Sequence, residues 1–139
     1  MKKVNQLLFA ITISVFAITT TSCSKEEGCT DSTALNYQSD ADEDDGSCNY
    51  NGDVSFWQYN GDGLASTSVT IAGETKSITV DMTSTSGPSS CTSSSGNANF
   101  TLPSGTHSYT ASESGGANTT WSGSITINPN GCTKWRLKN

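Results

Sequence analysis

The sequence predicts an all-β protein: a small antiparallel β-sandwich of about seven strands, preceded by a short, disulfide-stapled acidic loop module. Three observations predict it. Between residues 54 and 139, apolar side chains recur at every second position in short runs, the period of a half-buried strand. Clusters of Gly, Pro and Asn separate these runs, where the chain must turn. No stretch of this block sustains the 3.6-residue repeat of an amphipathic helix.

The strands follow in order. Val54 and Phe56 define one face of the first and Trp57 and Tyr59 the other, so one of these faces is expected to be less buried. Next come Val69 and Ile71, then Ile78, Val80 and Met82, then Ala98, Phe100 and Leu102. His107, Tyr109 and Ala111, then Ile125 and Ile127, then Trp135 and Leu137 complete the set. Turns are expected at Asn60-Gly61-Asp62-Gly63, Ala72-Gly73-Glu74, Ser86-Gly87-Pro88, Pro103-Ser104-Gly105, Gly115-Gly116 and Asn128-Pro129-Asn130-Gly131. Of the 86 residues in this block 31 are Ser or Thr, a composition shared with mucin-like stalks. The alternation argues for a folded sheet, because Thr suits a half-exposed strand face.

The first 22 residues have the layout of a signal peptide: Lys2 and Lys3, an apolar stretch over 7–18, and small residues before Cys23. Twelve residues reach roughly 18 Å as a helix, short of the ~30 Å hydrocarbon core. Removal of 1–22 leaves 117 residues, of which 33 are hydrophobic. That is thin for an enzyme, and the length allows one domain plus a small module. Ser22-Cys23 resembles a bacterial lipobox, with Thr20 standing where Leu is usual. This resemblance implies that Cys23 becomes the lipidated amino terminus, with acyl chains such as palmitate anchoring the protein without a transmembrane helix. Ser24-Lys25-Glu26-Glu27 is similar to the export tag that directs Bacteroidetes lipoproteins to the outer face of the outer membrane. The localisation expected from both is the cell surface.

With Cys23 assigned to lipid, Cys29, Cys48, Cys91 and Cys132 remain for two bridges in an oxidising compartment. Three pairings are open. Cys29 with Cys48 and Cys91 with Cys132 is favoured, because each bridge then staples one block of distinct composition. Zinc is the weaker reading, since there is no CxxC pair and His107 is the one histidine.

Charge divides the chain in the same place. Residues 26–53 hold nine of the thirteen acids and no base, whereas 54–139 hold four of each. Nucleic acid and anionic membrane surfaces are disfavoured as partners, and a divalent cation is favoured. Asp40, Asp42, Glu43, Asp44 and Asp45 lie within six residues and repel one another unless solvated or neutralised, and such oxygen donors suit calcium. A solvated acidic linker competes with that reading. An EF-hand is excluded, because a loop beginning at Asp40 has Asp45 at its sixth position and Asn51 at its twelfth.

Within residues 28–50, Cys29-Thr30-Asp31, Ala34-Leu35-Asn36-Tyr37 and Asp44-Asp45-Gly46-Ser47-Cys48 closely resemble a Cys-bracketed motif of secreted and surface Bacteroidetes proteins. The resemblance implies a compact stapled loop, with calcium suspected at Asp31, Asp44 and Asp45 and then at Asp40 and Asp42. Residues 103–111 and 121–137 resemble the closing strands of small transthyretin-like or PEGA-like sandwiches of Bacteroidetes lipoproteins, with His107 in a place usually aromatic. That likeness implies that Cys132 on the last strand reaches back to Cys91.

No catalytic constellation stands out. His107 has no acid placed beside it by sequence, no Gly-x-Ser-x-Gly elbow occurs, and Asp53, Asp62, Asp81 and Glu113 are scattered. The expected role is therefore non-enzymatic: a surface-anchored lipoprotein presenting a β-sandwich to a protein or glycan partner. The alternative is a glycan-binding module of a polysaccharide-uptake system, with Trp57, Tyr59, Trp121 and Trp135 as stacking platforms. Those rings compete with the core, which has only 25 hydrophobic residues in 86 to draw on.

Overall fold

A computed structural model describes residues 24–62, 65–92, 96–116 and 118–138. The signal peptide and Cys23 lie outside the described residues. The described chain is all-β, with nine short strands in three sheets, one 3-10 turn (Asn60–Asp62) and no α-helix. Both bridges form as favoured, Cys29 to Cys48 and Cys91 to Cys132.

The acidic module contributes β1 (Glu27–Gly28) and β2 (Glu43–Asp44), a parallel pair. Gly28 packs closely there, and a Cβ at this position would displace the end of the Gln38 side chain. No spacer follows the module: β3 (Asn51–Trp57) begins immediately after Tyr50, three residues earlier than the alternation from Val54 predicts.

After β3 come β4 (Thr67–Ile71), β5 (Glu74–Ile78), β6 (Ala98–Pro103), β7 (Gly105–Glu113), β8 (Thr120–Ile127) and β9 (Cys132–Arg136). They form a three-stranded sheet, β6-β3-β9, and a four-stranded sheet, β5-β4-β7-β8. One cluster joins the two, with Val54, Phe56, Ala98, Phe100 and Leu102 from the first and Val69, Ile71, Ile78, Tyr109, Ala111, Ile125 and Ile127 from the second. Phe56 at its centre meets Tyr109 at 5.0 Å and Phe100 edge-on at 6.0 Å, geometries favoured by ring quadrupoles.

Two expectations are corrected. The sheets are not wholly antiparallel, because β9 runs parallel to β3. The Asn128–Gly131 turn delivers the chain beside the start of β3, where Asn130 N–H donates to the Asn51 carbonyl and Asp53 N–H to the Gly131 carbonyl. A strand leaving that point can only run the way β3 runs. Second, the strand expected at Ile78, Val80 and Met82 is instead Glu74–Ile78, with Val80 exposed. Ala72 and Gly73 both have positive φ, as a two-residue hairpin requires, so pairing resumes at once with Ile71 opposite Glu74. Most of β3 is covered on both sides: Val54, Ser55, Phe56 and Trp57 are buried, as is Gln58 just beyond it. The face of Trp57 and Tyr59 is the less buried of the two, as expected, since Tyr59 is half-buried while Val54 and Phe56 are fully buried; the 79–92 segment nevertheless covers the Trp57 ring. Gly87 lies against the Trp57 ring, where a Cβ would come within 2.7 Å of it, and its φ of +78° suits glycine.

Candidate functional site

In the acidic module the carboxylates act chiefly as turn formers. Asp31 Oδ1 accepts the Thr33 N–H at 2.9 Å and the Thr33 hydroxyl at 2.8 Å, while Oδ2 accepts the Tyr50 hydroxyl at 2.7 Å. The Thr33 N–H, then the Tyr50 hydroxyl, hold the Asp31 carboxyl below its ordinary value. The same bond to Asp31 pushes the Tyr50 phenol up, since it favours the protonated form. Asp44 Oδ1 accepts the Gly46 N–H and Asp45 Oδ1 the Ser47 N–H, and the bonds to Ser47 lower the Asp45 pKa. Asn36 clamps the loop beside Cys48, donating to the Ser47 carbonyl at 2.8 Å and accepting the Asn49 N–H at 2.7 Å.

Asp40 accepts the Ser39 hydroxyl, and the Asp42 N–H donates to the Glu26 carbonyl. Among the described residues, no group of three or more His, Cys, Asp or Glu side chains is arranged to hold a metal ion.

The four aromatics separate into two places. Trp57 is 5% exposed, and the Arg136 guanidinium lies 5.5 Å from its ring centre and 5.1 Å from that of half-buried Tyr59. Arg136 in turn grips Asp62 through Nε at 3.0 Å and Nη2 at 2.6 Å. Trp135 projects from the other side of its sheet, opposite Phe56 in register; its Nε1 donates to the Tyr109 hydroxyl at 2.9 Å and it is 40% exposed. Half-buried Trp121 packs against the core cluster, its Nε1 donating to the Lys138 carbonyl. The structure thus pairs Trp57 with Tyr59 around Arg136 and places Trp121 and Trp135 at the core margin, not on one open platform with them.

The Asp62–Arg136 pair carries a pH prediction. The Arg136 hydrogen bonds hold Asp62 below its ordinary value of 3.8, and the same bonds raise Arg136. Because the folded pKa is depressed, this stabilisation is present above the unfolded value and is lost as pH falls through the folded one. Acid unfolding followed by tryptophan fluorescence should therefore show a shallower loss of stability below pH ~3.8 in Asp62→Asn than in the parent. Equal slopes would remove the pair from the acid response.

The described surface has a feature that composition concealed. On the outer face of the four-stranded sheet β7 presents Thr106, Ser108, Thr110 and Ser112, and β8 sets Thr126, Ser124, Ser122 and Thr120 against them in register. β4 adds Ser68 and Thr70, paired with Ser77 and Thr75 of β5. All twelve outward register positions of this sheet are hydroxyl residues. A trough of about 320 Å³ runs between Ser68, Thr70, Thr110, Ser112, Thr120 and Ser122. Alternate Ser or Thr along Thr106 to Ser112 was the available signal. It was obscured because a high Ser/Thr content reads equally as a half-exposed strand or as a stalk. No family model, curated protein or solved structure matches the chain at a significant level.

Proposed function

We propose that the protein is a non-enzymatic, surface-anchored lipoprotein of the outer membrane. Cys23 carries the lipid, the 28–50 module is a stapled spacer, and the 54–139 block is a small β-sandwich displayed as the interaction domain. The observation that carries this reading is the succession of two separately stapled units, Cys29–Cys48 and then Cys91–Cys132, directly downstream of the lipobox-like Cys23. Such staples belong to an oxidising compartment and compensate for small cores. The surroundings of His107 agree with a structural role: its Nε2–H donates to the Pro103 carbonyl at 2.7 Å. The test is metabolic labelling with an alkynyl palmitate analogue, combined with protease treatment of intact cells. Label that disappears in Cys23→Ser, together with cleavage on intact cells, is expected. Unlabelled protein would end the lipoprotein reading, and protection until lysis would end surface display.

A second reading, a glycan-binding module of a surface polysaccharide-uptake system, is favoured by one observation: the twelve-hydroxyl, uncharged sheet face.

A further inference from the structure

We propose that the hydroxyl-covered outer face of the four-stranded sheet docks an extended, uncharged polysaccharide chain. The proposal rests on the glycan-binding reading and moves its site away from the tryptophans.

Charge is the first ground. Exposed faces and edges of sheets ordinarily carry Lys and Glu, which keep them soluble and solitary. This chain has 20 Asp, Glu, Lys and Arg residues, yet none occupies any of the twelve outward register positions. A charge pressed against a neutral sugar would lose its hydration without a partner. A hydroxyl is both donor and acceptor and can meet sugar hydroxyls in either sense.

Spacing is the second ground. Hydroxyl rows on adjacent strands lie ~4.8 Å apart, and successive ones along a strand ~6.8 Å apart. A ligand that repeats can engage several rows together, whereas a free sugar meets only one or two. The trough offers a starting point. Six of its eight lining residues carry hydroxyls, Ala111 and Trp121 being the other two, and its volume of about 320 Å³ falls within the range of small-molecule sites. Neighbouring hydroxyls already fix one another, as Thr70 and Thr75 do at 2.8 Å and Thr106 and Thr126 at 3.3 Å, so less rotamer freedom is lost on binding. Each exchange of water for a sugar hydroxyl gains little. Binding is therefore weak per residue and dependent on chain length, and many copies on a surface strengthen it.

The test is electrophoresis of the oxidised protein through native gels containing dextran, laminarin or galactomannan, with polygalacturonate as an anionic control. Retardation by at least one neutral polymer is expected, with no competition from free glucose or mannose. Thr110→Lys and Ser122→Glu, checked for folding by near-UV circular dichroism, should each weaken it tenfold or more, and Lys134→Ala should leave it unchanged. No retardation by any of the three neutral polymers overturns the proposal. Retardation that survives both face substitutions overturns this site while keeping the glycan-binding reading. A concentration-dependent dimer in sedimentation that the same substitutions abolish assigns the face to a second copy of the chain and also overturns it. Lipid labelling at Cys23 is independent of all these outcomes.

Discussion

Replacing Cys91 and Cys132 together by serine is expected to lower the unfolding free energy by about 4 kcal/mol, the chain-entropy value for a ring of this size. The bridge spans 41 residues, enclosing β6, β7 and β8, so the unfolded chain gains much freedom when it is removed. Small domains have roughly 5–15 kcal/mol in total, so a loss of this size brings the protein close to unfolding at ordinary temperature. A local consequence accompanies the global one. Cys91 holds one end of the 79–92 segment to β9, and that segment covers Trp57. Urea unfolding should show the drop in midpoint, and tryptophan emission of the still-folded variant should shift to the red. Removing Cys29–Cys48, with a span of 19, is expected to cost roughly 3 kcal/mol by the same relation and to leave the emission unmoved. A Cys91/Cys132 variant within 1 kcal/mol of the parent would mean that packing alone holds the segment.

Trp57→Ala carries the second large effect. Removing a fully packed Trp typically costs about 3–5 kcal/mol, and Trp57 lies between Arg136 and the Gly87 turn at 5% exposure. Thermal and urea unfolding should both register the loss, while Trp135→Ala, at a site 40% exposed, should cost clearly less. The comparison also separates structure from recognition. If Trp57→Ala kept the parent's stability and lost polysaccharide retardation, Trp57 would be a ligand platform and its burial under the loop would not describe the working protein.

Much of the fold was legible because burial leaves a period. Val69 and Ile71, Phe100 and Leu102, Tyr109 and Ala111, and Ile125 and Ile127 all alternate with hydroxyl or amide residues, and all lie in the core cluster. The turns were legible for a similar local reason, since Ala72-Gly73 and Asn128-Pro129-Asn130-Gly131 restrict the backbone themselves. β5 was not legible. It is an edge strand whose inward register positions are Glu74, Lys76 and Ile78, and Lys76 serves the core by laying its ammonium 4.9 Å from the Phe100 ring centre. Inward charges on an edge strand guard against unwanted pairing, and they remove the apolar alternation by which a strand is recognised. The site divided in the same way. The acids of the module were conspicuous in sequence, but that Asp31, Asp44 and Asp45 close turns depends on the backbone N–H two residues further along being brought to face each of them.

By itself the sequence determined the all-β class, the two blocks, the favoured pairing of the four cysteines, most strand positions and the expectation of a lipid anchor. These follow from local rules: alternation, turn chemistry, charge segregation and cysteine arithmetic. Only the tertiary structure decided that β9 lies parallel to β3, that Trp57 is covered on the outer side of its sheet, and that twelve hydroxyls from four strands form one continuous face. Each of these depends on which strands become neighbours and in what register. Register sums many weak contacts between residues distant in the chain, and no single segment records that sum.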